Sequence, residues 1–311
     1  MSNYAIITDS ACDLSKKLRE RFGVDDYVKG NVICPDGRTI KADCDWEQFT
    51  PDEYFSSMAN KKQLYHTSTP SLDEIKAVLE RQLALGKDIL AIVLSTGLSG
   101  MYGMFLTASK ALLEKYSQRK IIVIDSLRYS TSLAMLLMYA GEMKKAGKSL
   151  EETAQWVEEH KECIHQMGPL DDLFFLNRSG RISKMKAVMG TLVGVKPMGD
   201  FNSHGQTSVL GNAKGYNNAF KAAVEYIKQT IIDPEDQVVF IANSLREEKA
   251  LKFKEVLDSN FKFKEIIMND VGLSCGANVG PGLIAVYYFG KKMSKDNVEE
   301  KKLMSDILAN L

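Results

Sequence analysis

Apolar residues fall along this chain in short continuous blocks, with stretches of helical spacing between them. Tyr4–Ile7 is such a block and ends in the polar run Thr8-Asp9-Ser10. Ile89–Leu94 and Ile121–Ile124 repeat the pattern, each followed by a polar loop and a helical stretch. Helices are predicted near Leu14–Phe22, from Gly100 to about Tyr116, and over Ser130–Lys145. Continuous apolar strands alternating with helices indicate a mainly parallel sheet covered on both faces. The first half is therefore read as a three-layer α/β/α domain.

The second half is patterned differently. Leu173–Leu176 reads as a short strand, Asn177–Gly180 as a polar turn, Ile182–Met189 as a helix and Leu192–Pro197 as a strand. Gly199–Gly205 carries turn chemistry. Tyr216, Phe220, Val224 and Ile227 recur at helical spacing, and Val238–Ala242 and Leu283–Phe289 read as strands. This suits a two-layer α/β domain with fewer crossovers, and the boundary is set near residue 166, giving domains 1–166 and 167–311. The charged stretch Lys291–Lys302 is expected to be a solvated helix.

Composition narrows the function classes. With 311 residues, two cores are easier to build than one. Lys+Arg and Asp+Glu are both 40, so no basic excess exists to neutralise phosphates, and a nucleic-acid binder is not expected. Apolar runs such as Ile89–Leu94 and Leu133–Ala140 are far too short for a spanning helix. The opening MSNYAIITDS reads as strand and loop, not as a signal segment, so the expected location is cytoplasmic, without stable membrane insertion. Five scattered cysteines without CxxC spacing fit reduced structural thiols. His160 and His165 fall in a charged stretch and are expected at the surface.

Three segments carry candidate chemistry. His66–Ser71 is rich in hydroxyls; Ser71 with Glu74 forms a capping box, and capping alone would explain it. Ser95–Gly100 follows a buried strand and precedes a helix, where free N–H groups and the helix dipole favour an anion. Ser95, Thr96 and Ser99 mix there with Gly97, Gly100 and Gly103; the plainer reading is a strand-to-helix turn. Around Gly180, Arg178 and Arg181 could grip a carboxylate or phosphate, with Lys196 adding charge. Gly272–Gly282 holds four glycines and Pro281, and its Asn278 can both donate and accept. Enzyme signatures are weak. Gly97-Leu98-Ser99-Gly100-Met101 lacks the last glycine of a nucleophile elbow, so an acyl hydrolase using Ser99 is only an alternative. No P-loop, no GxGxxG and no metal-ligand spacing occurs, and no cofactor is expected.

In order along the chain, YAIITDSACDLS, HTSTPS, LSTGLSGMY, RSGRISKMKAVMGTLVGVKP and NVGPGLIAVYYFG resemble the motifs of the DegV family. The resemblance runs almost end to end. It implies a long-chain fatty acid of the palmitate, oleate or stearate type, enclosed in a tunnel between the two domains. It also implies a partner: a separate fatty-acid kinase, which phosphorylates the carboxylate that the binding protein presents. The chain itself would be a lipid-binding protein of phospholipid metabolism and not an enzyme. Carried over position by position, Thr67 and Ser99 would hydrogen-bond the carboxylate, with Ser68 and the Gly100 N–H beside them. Arg181 matches the family arginine near the carboxylate. Leu98, Met101, Met104, Met135, Leu192 and Val193 are apolar candidates for the tunnel, although ordinary core packing is the better explanation for most of the methionines. Three positions depart from the pattern. Asn278 stands where the family has histidine, and asparagine cannot carry a proton near neutral pH. Ser179 replaces the first glycine of the arginine motif, and Lys214 is the nearest counterpart to a further family arginine. A carrier or sensor without a kinase partner is the corresponding alternative.

Overall fold

The computed structural model describes residues 3–182 and 194–311. Two compact units share the chain: residues 1–48, 64–161 and 272–275 make the first, and residues 49–63, 162–271 and 276–311 the second.

In chain order the elements up to residue 160 are β1 (Tyr4–Asp9), α1 (Lys16–Phe22), β2 (Asp26–Val28), β3 (Asn31–Ile33), β4 (Thr39–Lys41), α2 (Pro51–Met58), β5 (His66–Ser68), α3 (Leu72–Ala84), β6 (Asp88–Val93), α4 (Met101–Lys115), β7 (Ile121–Asp125), α5 (Thr131–Lys145) and α6 (Leu150–His160). The main sheet of the first unit has the order β2-β1-β6-β7, all parallel. Side chains alternate across it. Ala5, Ile7, Ile89, Ala91 and Val93 point to one face and pack with Ile75, Val78 and Leu79 of α3 and Met101, Phe105 and Leu112 of α4. On the other face, Tyr4 OH meets Thr153 Oγ1 of α6 at 2.9 Å, and α5, buried along most of its length, lies on β1 and β6. This is the expected three-layer arrangement. The helix starts follow the hydroxyls: Ser15 caps α1, and Thr50, Ser71 and Ser149 form capping boxes with Glu53, Glu74 and Glu152. A small antiparallel sheet, β4-β3-β5, adjoins the end of β1.

The remaining elements are β8 (Ile164–Met167), α7 (Phe174–Ser179), β9 (Val195–Phe201), β10 (Thr207–Lys214), α8 (Gly215–Thr230), β11 (Val238–Asn243), α9 (Glu247–Asp258), β12 (Glu265–Asp270), α10 (Leu273–Val279), β13 (Ile284–Phe289) and α11 (Val298–Ala309). The second unit's sheet has the order β12-β11-β13-β8, with β11-β12 parallel and the other pairs antiparallel. Val239, Ile241, Ile284, Val286 and Tyr288 bury one face under Ala219, Phe220 and Ile227 of α8 and Phe253 of α9. The β9-β10 hairpin carries a bulge between Val209 and Gly211.

Several expectations change. Leu173–Leu176 is not a strand and Asn177–Ser179 is not a turn: together they are α7, begun by Asp172 Oδ1 accepting from Phe174 N at 2.8 Å and ended by Gly180 in the left-handed region, φ 70°. Gly199 lies inside β9, and the turn is confined to Asn202–Gln206. The glycine-rich stretch from Gly272 is largely the helix α10; at Gly276 a Cβ would fall 2.9 Å from the Phe55 ring, so only glycine fits that approach. His165 is not on a surface helix. It sits on β8 at 1% exposure, with Nδ1 2.6 Å from Asp200 Oδ2 and Nε2 2.7 Å from the Lys291 carbonyl. Residues 291–297 precede the last helix, and α11 buries Met304 on one face. The helix expected over Ile182–Met189 lies outside the described residues beyond Ile182, as do Leu192 and Val193.

Two glycine substitutions test this packing with opposite signs. A Cβ at Gly141 of α5 would lie 1.7 Å from the Phe22 carbonyl oxygen, whereas one at exposed Gly103 of α4 meets nothing within 4 Å. Gly141→Ala should lower the unfolding free energy by about 1–3 kcal/mol or more. Gly103→Ala should raise it by about 0.5–1 kcal/mol. Urea titration followed by circular dichroism measures both, and equal effects would refute the assigned packing.

Candidate functional site

In an open parallel sheet, ligands are received beyond the carboxyl ends of the strands. In the first unit that edge is built by the residues after β1, β6 and β7. Its backbone N–H groups are partly spent. Ser95 Oγ accepts from Gly97 N at 3.1 Å, and the Ser95 carbonyl accepts from Leu98 N and Ser99 N at 3.1 and 3.2 Å. Asp125 Oδ1 accepts from Thr96 N at 3.1 Å, and its Oδ2 accepts from the Thr96 hydroxyl. Ser99 Oγ accepts from Met101 N at 3.3 Å. Leaving aside the fully buried Ser95 hydroxyl, two donors are left over at this loop. The Ser99 hydroxyl hydrogen and the Gly100 N–H have no acceptor among the described residues, and a Cβ built on Gly100 would find nothing within 4 Å. Both groups stand at the N-terminus of α4, where the helix dipole favours an anion.

Thr67 and Ser68 lie on β5, opposite Val32 and Asn31 of β3. Ser68 Oγ accepts from Asn31 Nδ2 at 3.4 Å. Of the methionines offered for a tunnel, Met101 at the start of α4 is buried in the cluster with α3, and Met135 is fully buried in α5.

Behind these loops lie two buried acids. Asp9 accepts Ala11 N and Leu94 N, both at 2.8 Å. Burial still pushes its carboxyl up to about 6. Asp13 accepts from the Ser130 hydroxyl, and burial, with the Asp9 charge adding to it, pushes Asp13 up to about 7. Asp13, Leu127 and Ser130 all hold positive φ without being glycine, so backbone strain gathers on the loops of this edge.

In the second unit, Arg181 donates to the Ser179 carbonyl just past α7. Arg178 is the arginine that reaches α10: its Nη2 donates to the Ala277 carbonyl at 3.1 Å, one residue before Asn278. Burial first and the Arg181 charge second hold the Arg178 guanidinium below the usual arginine value, so the two cations are close neighbours. Nearby, Asp171 accepts from Lys196, Tyr216 and Arg246. Among the described residues no group of three or more His, Cys, Asp or Glu side chains is placed to hold a metal ion, and no helix is long and apolar enough to cross a membrane.

A family model described as an uncharacterised protein of the DegV family matches residues 3–291. The chain belongs to the DegV family. A DegV domain-containing protein of Clostridium perfringens is 31% identical over 292 residues, covering 93% of this chain and 98% of that one. Among solved structures, a DegV family protein from Thermus thermophilus, described by its fatty acid binding, superposes with a TM-score of 0.82 at 25% identity, covering 93% and 100% of the two chains. A DegV lipid-binding protein from Thermotoga maritima gives a TM-score of 0.81 at 20% identity, with 94% and 100% covered. At that identity the Thermotoga likeness speaks to the fold alone.

Within this DegV chain, the candidate residues Thr67, Ser68, Ser99 and Gly100 fall in the first unit, and Arg181 and Asn278 in the second. Asp9, Asp125, Asp13 and Ser130, which build the edge behind the candidates, were not singled out from sequence. The available signal was an acid ending each of two buried strands, Asp9 after Ile7 and Asp125 after Ile124. Arg178 was noted only as a flank of Gly180.

The two buried acids predict a pH dependence. Their pKa values are raised on folding, from the ordinary aspartate value of 3.8 to about 6 and about 7, so folding takes up protons. The stability they contribute is fully present below pH 3.8 and is lost as pH rises through 6 and 7. Asp13→Asn removes the larger part of this. The variant should gain on the unaltered protein by up to about 4 kcal/mol between pH 4 and pH 8. Denaturant titrations at the two pH values give the difference, and a gap that stays constant would refute the buried-acid assignment.

Proposed function

We propose that this DegV chain binds a long-chain fatty acid, with the carboxylate received by the Thr67, Ser68 and Ser99 hydroxyls and the Gly100 N–H. The observation that carries the reading is the pair of uncommitted donors, Ser99 O–H and Gly100 N–H, at the open N-terminus of α4. The likeness to the Thermus protein described as fatty-acid binding supports the same ligand class. The energetics agree. Each buried CH₂ of an acyl chain brings roughly 0.8 kcal/mol, so the chain drives binding. A buried carboxylate without partners would cost several kcal/mol, so donors must meet it. The tunnel itself, and its position between two domains, rest on the family resemblance.

The proposal gives the protein no catalytic step of its own. A hydrolase reading needs a base on Ser99, yet Ser99 bonds Met101 N and no histidine. Presentation of the carboxylate to a separate fatty-acid kinase is the partner reading, and Arg178 and Arg181 would supply positive charge for it. One observation favours the second reading, a carrier or sensor without a kinase: Asn278 occupies the place of the family histidine.

Native mass spectrometry after mild extraction should find a co-purified long-chain acid. Thr67→Ala combined with Ser99→Ala should weaken palmitate or oleate binding by roughly 2–5 kcal/mol, since each hydrogen bond to a charged group contributes about 1.5–3. Protein that is consistently empty and takes up neither acid would sink the proposal. For the partner reading, the unaltered protein should support ATP-dependent phosphorylation of bound acid by a fatty-acid kinase. Phosphorylation that appears only in Asn278→His would favour the carrier instead.

A further inference from the structure

Two segments supply the hydroxyls of the proposed carboxylate site, and they are far apart in sequence: β5 with Thr67 and Ser68, and the loop from Ser95 to Gly100. Their own contacts do not explain how the spacing between them is held. The connection runs through Asp9 and Ser10, at the end of β1.

On one side, the paired register of β1 and β6 runs from Tyr4↔Asp88 to Ile7↔Ala91. Beyond it the Asp9 carboxylate takes over: Oδ2 accepts from Leu94 N at 2.8 Å, immediately before Ser95. The same carboxylate fixes its own loop, Oδ1 accepting from Ala11 N at 2.8 Å. Asp9 is 1% exposed, so water does not compete for either bond. On the other side, Ser10 Oγ accepts from Gly30 N at 3.1 Å. A methyl group on Gly30 would touch both Ser10 Oγ, at 3.4 Å, and the Ser68 carbonyl oxygen, at 3.6 Å. Ser10 and the Ser68 backbone therefore both pack against Gly30, and Ser10 is itself 3% exposed.

We propose that Asp9 and Ser10 are positioning residues for the carboxylate site: one adjacent pair of side chains sets the spacing between the Thr67–Ser68 strand and the Ser99–Gly100 turn. This rests on the fatty-acid reading above and deepens it. The two residues do not touch the ligand; they act through the backbone of Leu94 and Gly30. Neither Asp9→Asn nor Ser10→Ala keeps the acceptors these bonds need. In Asp9→Asn one carboxylate oxygen becomes an NH₂ group, and whichever way the amide turns, that NH₂ faces a backbone N–H. One of the two bonds is lost without loss of volume. In Ser10→Ala the acceptor for Gly30 N disappears.

The test uses two sixteen-carbon ligands that differ only at the head, palmitate and hexadecanol, and measures both dissociation constants on the full chain. Palmitate binding by the unaltered protein is read first, and its absence overturns the fatty-acid reading itself. Given that binding, Asp9→Asn and Ser10→Ala should each weaken palmitate about tenfold, the size of one lost hydrogen bond to a charged group. Hexadecanol should change less than about twofold, because a displaced carboxylate site leaves the apolar contacts alone. Ser10→Thr, which keeps the acceptor oxygen, should restore palmitate binding. Equal weakening of both ligands would mark a merely structural role and overturn the proposal, as would unchanged palmitate affinity in both variants. Should Asp9→Asn fail to fold, the Ser10→Ala and Ser10→Thr pair decides alone.

Discussion

A parallel sheet ends with a row of loops whose backbone N–H groups need acceptors, and in the first unit acidic side chains provide them. Asp9 closes the gap between β1 and β6, and Asp125 holds Thr96 and Leu127 where β7 ends. Both acids terminate apolar strands, so their carboxylates enter the edge from below. A buried N–H without a partner costs about 1–3 kcal/mol, which makes the Leu94 bond to buried Asp9 a constraint on where the loop can go, more than the exposed Thr96 bond. The strained backbone at Asp13, Leu127 and Ser130 is tolerable for the same reason: Asp13 bonds Ser130 Oγ, and Ser130 N bonds the Ala11 carbonyl at 2.7 Å.

The second unit uses the same device for a different purpose. Asp200 accepts from Gln166 N and Phe201 N on one oxygen and faces His165 and the Tyr226 hydroxyl on the other. His165 has an acceptor at each ring nitrogen, the carboxylate and the Lys291 carbonyl, and its ring stacks on Tyr288 with centroids 5.1 Å apart. This network joins β8, β9, α8 and the segment after β13, and it stays within one core. No residue of it belongs to the candidate set. Burial of polar groups thus serves fold in one unit and loop placement in the other.

How much of this could be read from sequence follows from burial. Strands hidden on both faces are continuous apolar runs, and β1, β6, β7 and β11 were legible within a residue or two. The three-residue strands β3, β4 and β5 are half-exposed and carry no such run. α7 was misread because four apolar residues, Leu173–Leu176, suit a strand as well as a helix. α10 was hidden by the glycines in and around it: Gly276 inside the helix serves close packing, while Gly280 and Gly282 shape the turn that follows. His165 was misread because a histidine in a charged stretch gives no sign that Asp200, 35 residues on, awaits it. The Ser95–Gly100 loop was legible from its place after a buried strand, whereas Thr67 and Ser68, which lie on the strand β5, became candidates only through the family resemblance. The acids behind them were not, because their role lies in contacts such as Asp9 with Leu94, 85 residues apart.

The hydrogen-bond accounting also bears on which anion suits this edge. Helix N-termini that hold phosphates present a run of free N–H groups to a multiply charged ligand. Here Thr96, Gly97, Leu98 and Ser99 have already committed their N–H groups to Asp125 and Ser95. With the Ser95 hydroxyl fully buried, what remains outside the core on the loop is one N–H at Gly100 and one hydroxyl at Ser99, two donors for an anion with two oxygens. The acids at this edge add a second restraint, since Asp9 and Asp125, bonded to Leu94 N and Thr96 N, would repel a dianion more than a monoanion. A carboxylate carried on an apolar chain fits both restraints, because the chain supplies the affinity that so few donors cannot. The same acids that fix the loops in place thereby limit the charge the site can accept.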